Sequence, residues 1–248
     1  MRSDKNSETE RTFDARAHSY DAESNWVRAP IVIDPLIPRR LPRSANRFLD
    51  VCCGTGMVAR KAADRKWKVT AVDRNRRMLD EIKDERIEKV RGEATHLPFE
   101  DGIFDVSVMR QALHYLEVRP AIREMFRVAT REIRLGHITM FSEDDRPVWR
   151  SYFDIVSPGR LHIFAPGDIE SSVVEEGGVV ISRSIVNMLD DFEGPIRHLG
   201  EEALETVRRR FLAAPRAFKE RYLVVGRSAK EFRLQVRWEF LAARKNIR

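Results

Sequence analysis

A chain of 248 residues with 42% hydrophobic content suits one α/β domain with a real core, and no stretch approaches the roughly 18–20 apolar residues that cross a bilayer. The net charge is +6, but the arginines at 208–210 and beyond 227 alternate with Glu202, Glu205, Glu220 and Glu231. No aromatic-laced basic stripe marks a nucleic-acid partner, and peripheral contact with a membrane surface stays open. The only cysteines, Cys52 and Cys53, are adjacent and make a poor disulfide, and the first eleven residues lack an apolar leader, so the expectation is a cytoplasmic protein.

In chain order, residues 1–10 read as a frayed tail. Phe13, Ala17 and Tyr20 recur at helical spacing and predict an amphipathic helix over 11–20. Pro30, Pro35, Pro38 and Pro42 then allow only a broken helix or a turn-rich approach. From residue 47 the pattern alternates. Strands are expected at 47–51, 66–72, 86–90, 104–109 and 134–141, with helices at 56–64, 75–83 and 120–128 between them. That alternation points to a mainly parallel sheet with right-handed crossovers.

Beyond residue 142 the pattern loosens. An aromatic helix over 148–156 leads to a loop at 159–166 and a helix from Asp168 to Glu176, stopped by Gly177-Gly178. A strand at 179–186, helices at 200–212 and 214–222, and a last strand at 234–243 complete the reading. The fold class is therefore α/β: a Rossmann-like, mostly parallel seven-stranded sheet with flanking helices and a partial helical lid. One domain is expected over 1–248, with a ligand-binding core at about 45–142.

The apolar run ending in Asp50-Val51-Cys52-Cys53-Gly54-Thr55-Gly56 passes from strand through a small-residue turn into a helix. Glycine lacks a Cβ, so such a turn admits a ligand close to the backbone. Asp73, at the end of the second strand, sits where a carboxylate meets the hydroxyls of a ribose. Asp50 beside the turn repels a pyrophosphate but suits the ammonium of an amino acid. The pair points to a ligand with a nucleoside and an amino-acid tail.

At these residues a family resemblance emerges. Residues 49–56 resemble the first motif of class I S-adenosylmethionine-dependent methyltransferases, and Ala71-Val72-Asp73 with Met78-Leu79 resembles the second. Residues 92–99 with Asp101-Gly102 and Phe104-Asp105 are similar to the family's segment before strand four, and Leu113-His114 to the pair that follows it. The nearest subgroup by pattern is the quinone C-methyltransferase-like branch of small-molecule enzymes.

The resemblance implies S-adenosyl-L-methionine as cofactor. Asp50, Cys52 and the backbone of Gly54, Thr55 and Gly56 would hold its methionine end, and Asp73 its ribose. Arg74 and Met78 would flank the adenine, and Glu93 and Ala94 would meet the adenine edge. Arg110 and the lid residue Tyr20 complete the implied contacts. Two departures stand out: Cys52 replaces the first motif glycine, and Val128-Ala129-Thr130-Arg131-Glu132 replaces the usual glycine-containing loop before strand five.

His114 is the first candidate for a general base, because imidazole titrates near neutrality; a structural role is the competing reading. Tyr115, His137 and His162 are weaker candidates. Trp149, Tyr152, Phe153 and Phe164 line either an acceptor pocket or the core. Two cysteines without a partner cluster make no zinc site, so no metal is expected. These readings converge on methyl transfer to carbon or oxygen of a small, aromatic or quinone-like acceptor. A cofactor-binding regulator without activity and an RNA methyltransferase remain open as alternatives.

Overall fold

The structure, a computed structural model, describes residues 10, 11, 13–23, 25–39, 46–157, 159–191, 193–225 and 232–246. The N-terminal tail to residue 9, Pro42, Arg227 and Glu231 lie outside the described residues. Five parallel strands build the first part of the sheet: β1 (Arg47–Val51), β2 (Lys68–Asp73), β3 (Ile87–Arg91), β4 (Phe104–Arg110) and β5 (Ala129–Thr139). Between them run α1 (Met57–Asp64), α2 (Arg76–Asp80) and α3 (Val118–Val128).

The later chain supplies α4 (Arg146–Val156), α5 (Asp168–Glu175), β6 (Gly178–Asp190), α6 (Glu201–Leu212), α7 (Arg216–Tyr222), β7 (Leu223–Val225) and β8 (Phe232–Lys245). The strand order is β3-β2-β1-β4-β5-β8-β6. β8 runs antiparallel to both β5 and β6, and β7 pairs with β8. The order reverses between β1 and β4, so a crevice opens at the carboxyl ends of these strands.

β1 and β4 are almost wholly buried because helices cover both sheet faces. On one face Phe48, Val69, Ala71, Val106 and Val108 pack with Val58, Ala59 and Ala62 of α1. On the other, Leu49, Val51, Val72 and Met109 meet Ala121, Ile122, Met125 and Phe126 of α3. The i, i+1, i+4, i+5 spacing of those α3 residues makes one apolar stripe, and Pro120 falls in the first turn, where its missing N–H costs nothing. The Asp105 carboxylate accepts the backbone N–H groups of Asn46 and Arg47, each at 2.9 Å, and so starts β1 beside β4.

Several expected boundaries shift. β5 begins at Ala129, five residues early, because Ala129 pairs with Phe104 and the Thr130 hydroxyl donates to the Phe104 carbonyl at 3.1 Å. α2 ends at Asp80, and Ile82 turns in against Gly56. The helix expected over 11–20 is interrupted by a turn at 17–19 and resumes at Tyr20–Glu23. β7 was not anticipated: three residues hold strand geometry only through pairing with β8. The proline-rich segment forms a short helix at Pro30–Ile33 and a tighter turn at Asp34–Leu36, as its composition requires.

α4, α6 and α7 form an aromatic layer on the sheet. Trp149 contacts Tyr152, Phe153, Phe211, Phe218 and Tyr222 with ring centroids 5.2–5.8 Å apart. Buried Asp145 anchors this layer. Its carboxylate accepts the Ser142 N–H at 3.0 Å, the Tyr222 hydroxyl at 2.8 Å and the Arg221 guanidinium. The Tyr222 oxygen in turn accepts the Phe141 N–H at 2.7 Å. Removing this carboxylate strands several buried donors, so Asp145→Ala is expected to cost about 3 kcal/mol. Urea denaturation measures that loss, and an unchanged midpoint would show that the anchor contributes no stability.

Candidate active site

The carboxyl ends of β1, β2 and β4 open into a cavity. Its walls include Tyr20, Asp50, Cys52, Gly54, Thr55, Asp73, Arg74, Met78, Glu93, Ala94 and Arg110. Of the implied cofactor residues only Gly56 is absent from the wall. Its N–H donates to the Cys53 carbonyl at 2.9 Å, and a Cβ there would fall 2.8 Å from the Ile82 side chain. Gly56 therefore shapes the turn at φ +80° and presents no amide to the cavity. Gly54 is the opposite case: a Cβ at that position would meet nothing within 4 Å, so the backbone is open to a ligand there.

Asp73 does structural work as well as facing the cavity. Its two oxygens accept the N–H groups of Gly54 and Asn75, each at 2.9 Å, which ties the turn after β1 to the end of β2. Burial raises its pKa against the pull of those two amides. Asn75 then caps α2 by accepting the Met78 N–H at 3.1 Å, which places Met78 in the wall.

Asp50 is 2% exposed and accepts the Ala59 N–H at 2.9 Å, fixing α1 to β1. Burial pushes its carboxyl up to about 7, with the charge of Arg110 opposing the shift. The Arg110 guanidinium donates to the Val27 carbonyl at 3.0 Å and lies 5.2 Å from the Trp26 ring; burial lowers its pKa. Glu93 is exposed on the rim, and Gly92 beside it has no room for a Cβ against Pro98 and Val72.

The N-terminal segment covers this cavity. Asp21 accepts from the Thr55 hydroxyl and, at 3.1 Å, from Arg60, while Asp14 accepts from Asn75 at 3.0 Å. Phe13, Tyr20 and Trp26 make successive tilted or edge contacts above it. Sequence reasoning missed Asp21 as an anchor, although it stood beside the lid tyrosine. Asn75, Phe13, Trp26 and Gln111 were missed as wall residues.

A second cavity adjoins the first across Phe13, Tyr20, Trp26, Gln111 and Tyr115. It is lined further by His114, Trp149, Tyr152, Phe153 and Arg160. Trp149, Tyr152 and Phe153 stand in this wall, and Trp149 and Tyr152 also belong to the buried core. Phe164 instead packs against the rings of His137 and His162.

His114 faces the second cavity and not the first. Burial, together with the charge of Arg160, pushes it well below its ordinary value, so it stays neutral at physiological pH. His137 is fully buried and pushed down to about 3, and among the described residues neither ring nitrogen has a partner. The Tyr115 hydroxyl lies 2.6 Å from that of Ser157.

Among the described residues no group of histidines, cysteines and carboxylates is arranged to hold a metal. Burial raises the pKa of both cysteine thiols, which leaves them protonated. Cys52 has φ +54°, a left-handed conformation that disfavours any residue with a Cβ. The replaced glycine thus matters through backbone strain. Cys52→Gly is expected to relieve about 1 kcal/mol and raise the melting temperature by a few degrees. A lowered melting temperature in a thermal scan would contradict strain at this turn.

Comparisons with known proteins agree with this geometry. The family model described as a methyltransferase domain matches residues 49–133. Demethylmenaquinone methyltransferase of Paenarthrobacter aurescens is 33% identical over 153 residues, covering 57% of this chain and 58% of that protein. The chain thus spans little more than half the length of this curated relative. A solved Bacillus halodurans protein described as a candidate methyltransferase has a TM-score of 0.72 at 20% identity, covering 82% of this chain and 94% of that one. A Haemonchus contortus phosphoethanolamine N-methyltransferase, solved with phosphomonomethylethanolamine and S-adenosylhomocysteine, has a TM-score of 0.59 at 18% identity, covering 94% of this chain and 58% of that one. Residues 49–133 are thus similar to a methyltransferase domain, and the chain shares the Rossmann-like fold of these solved methyltransferase structures.

Proposed function

We propose that the protein transfers a methyl group from S-adenosylmethionine to carbon or oxygen of a small aromatic or quinone-like acceptor. The observation that carries this reading is the junction of two cavities, one walled by the cofactor motifs and one by aromatic side chains, across Tyr20, Gln111 and Tyr115. The residues present suit the cofactor: Gly54 leaves the backbone open, Asp73 presents a carboxylate to a ribose, and Asp50 faces the amino-acid end. Glu93 and Ala94 take the adenine edge, with Arg74 and Met78 beside it. The bound cofactor supplies an electrophilic methyl on a sulfonium that leaves as a neutral thioether.

The chain's task is then to hold the acceptor atom in line and exclude water. The segment from Glu10 to Arg28 closes over the first cavity, held by Asp14, Asp21 and Arg110. Neutral His114 accepts a hydrogen bond from the acceptor, and the displaced proton leaves to solvent. In this reading residues 1–248 act as one unit, in which 45–142 hold the cofactor and the flanking segments build the lid and the acceptor walls. The demethylmenaquinone methyltransferase likeness supports a quinone-like acceptor.

Calorimetry with S-adenosylmethionine and S-adenosylhomocysteine tests the reading, with saturable binding of both expected. Asp73→Ala should weaken binding by about 100-fold, because two charge-assisted hydrogen bonds to the ligand are lost together with the grip on Gly54. Unchanged affinity would remove the ribose assignment.

A pH prediction follows from Asp50. Its folded pKa of about 7 lies above the ordinary 3.8, so the folded chain keeps a proton that the unfolded chain has released. That contribution to stability is complete below the ordinary value and is lost as pH rises through about 7. A ligand ammonium draws the carboxyl pKa down and expels the proton. Affinity should therefore rise about tenfold per unit between about pH 5.5 and 6.5 and level off above about 7.5. Titrations in buffers of different ionisation enthalpy report the released proton, and a flat affinity profile would exclude this role for Asp50.

A further inference from the structure

Arg160 is an unusual cation in this molecule. It follows α4 in the loop before Phe164, where its N–H donates to the Ser157 carbonyl at 2.9 Å. The guanidinium lies 3.7 Å from the centre of the Phe153 ring, and its buried Nε finds no acceptor among the described residues. Among the described residues no carboxylate pairs with it. The groups that influence it are the Tyr115 and Tyr152 hydroxyls and the like charge of Arg150. Burial pulls its pKa down to about 10, so it remains charged at neutral pH.

The contrast with other arginines is plain. Arg146 holds Glu143, Arg183 holds Glu170 and Glu239, Arg208 holds Glu193 and Glu205, and Arg221 holds Asp145. The second cavity does contain carboxylates, but they are engaged elsewhere. Asp191 meets Arg197 at 3.3 Å and the Glu193 N–H at 2.9 Å. Asp190 accepts the Asp191 N–H at 3.0 Å, and burial pushes it up to about 6.

A partly desolvated cation without a counter-charge is costly, and the cost is offset when a ligand brings the anion. We infer that Arg160 binds an anionic oxygen of the acceptor, and that the acceptor is an aromatic carboxylate lying among Tyr115, Trp149, Tyr152 and Phe153. The planar guanidinium fork matches a planar carboxylate, and Phe153 holds the fork from one face. The aromatic walls take the ring by stacking and edge contacts. This assignment rests on the second cavity being the acceptor cavity, and it names the charge and the polar handle of the acceptor.

The test compares 2-naphthoate with its neutral isostere 2-naphthamide by calorimetry on the full chain, with and without saturating S-adenosylhomocysteine. The acid should bind at least about tenfold more tightly than the amide, the scale of one charge-assisted hydrogen-bonded pair. Arg160→Gln should abolish that preference and leave the amide affinity unchanged. Arg160→Lys preserves the charge and the stem, so it should keep part of the preference even if the glutamine variant folds poorly.

Arg160 does not line the first cavity, so both variants should bind S-adenosylhomocysteine as the native chain does. Equal affinities for acid and amide, a preference that survives Arg160→Gln, or no saturable binding of the acid would each overturn the assignment. Failure of S-adenosylhomocysteine to bind the native chain falls on the methyltransferase reading instead. The acid-to-amide ratio measured without it still decides the role of Arg160.

Discussion

The carboxylate of Asp73 is the constraint on which the site depends. Strand β2 ends on it, and its two oxygens take the Gly54 and Asn75 amides. The turn after β1 and the start of α2 are thereby fixed to one another through a single side chain. Gly92 adds a third segment, since its N–H donates to the Asp73 carbonyl at 3.1 Å. Three loops that are remote in sequence thus converge on one residue at the switch point of the sheet. Loops placed by a rigid parallel sheet can be precise without being regular, which is why binding groups gather there.

The turn itself is strained to serve this arrangement. Cys52, Gly54 and Gly56 all have positive φ, and only the glycines adopt that region without penalty. Asp50 is buried and Asp73 half-buried, and both carry raised pKa values because the fold desolvates them. Backbone amides from Ala59, Gly54 and Asn75 offset part of that cost. A cationic or hydroxyl-bearing ligand can offset the remainder, so the same desolvation that weakens the empty fold favours occupation of the cavity.

The two ends of the chain complete what the central domain leaves open. The N-terminal segment attaches through short polar anchors, namely Asp14 to Asn75, Asp21 to Thr55 and Arg60, and Arg110 to Val27. Such contacts release at lower cost than a packed core, which suits a cover that must admit ligand. The C-terminal part is built differently. β8 is paired along both its edges, and α4, α6 and α7 interlock through aromatic rings around Trp149. One side of the junction is thus held largely by polar anchors and the other by interlocked rings. The arginines of α6 belong to that second part: Arg208 is bound to Glu193 and Glu205, and Arg210 to the Ser151 carbonyl.

Much of the fold and the first cavity was legible in the residues. Parallel strands buried on both faces read as apolar runs, and helices between them repeat apolar residues at helical spacing, so order and type follow from local pattern. The wall of the first cavity was legible because the motifs place particular residues at a turn and at strand ends: Asp50, Gly54, Asp73, Glu93 and Ala94. Other features had no local signal. Whether Gly56 faces ligand or packs on Ile82 depends on a side chain 26 positions away, and Asp21 becomes an anchor only because Thr55 and Arg60 are folded beneath it. His114 was the first candidate for a base with a structural role competing, and burial beside Arg160 makes it a neutral wall of the second cavity. Sequence alone was sufficient for the order of strands and helices and for the turn after β1, since both follow from the local apolar pattern and from backbone stereochemistry. The second cavity, with an Arg160 that no carboxylate among the described residues pairs, arises where the chain after β4, the loop at 159–164 and α4 meet, and only tertiary packing decides which charges there find partners.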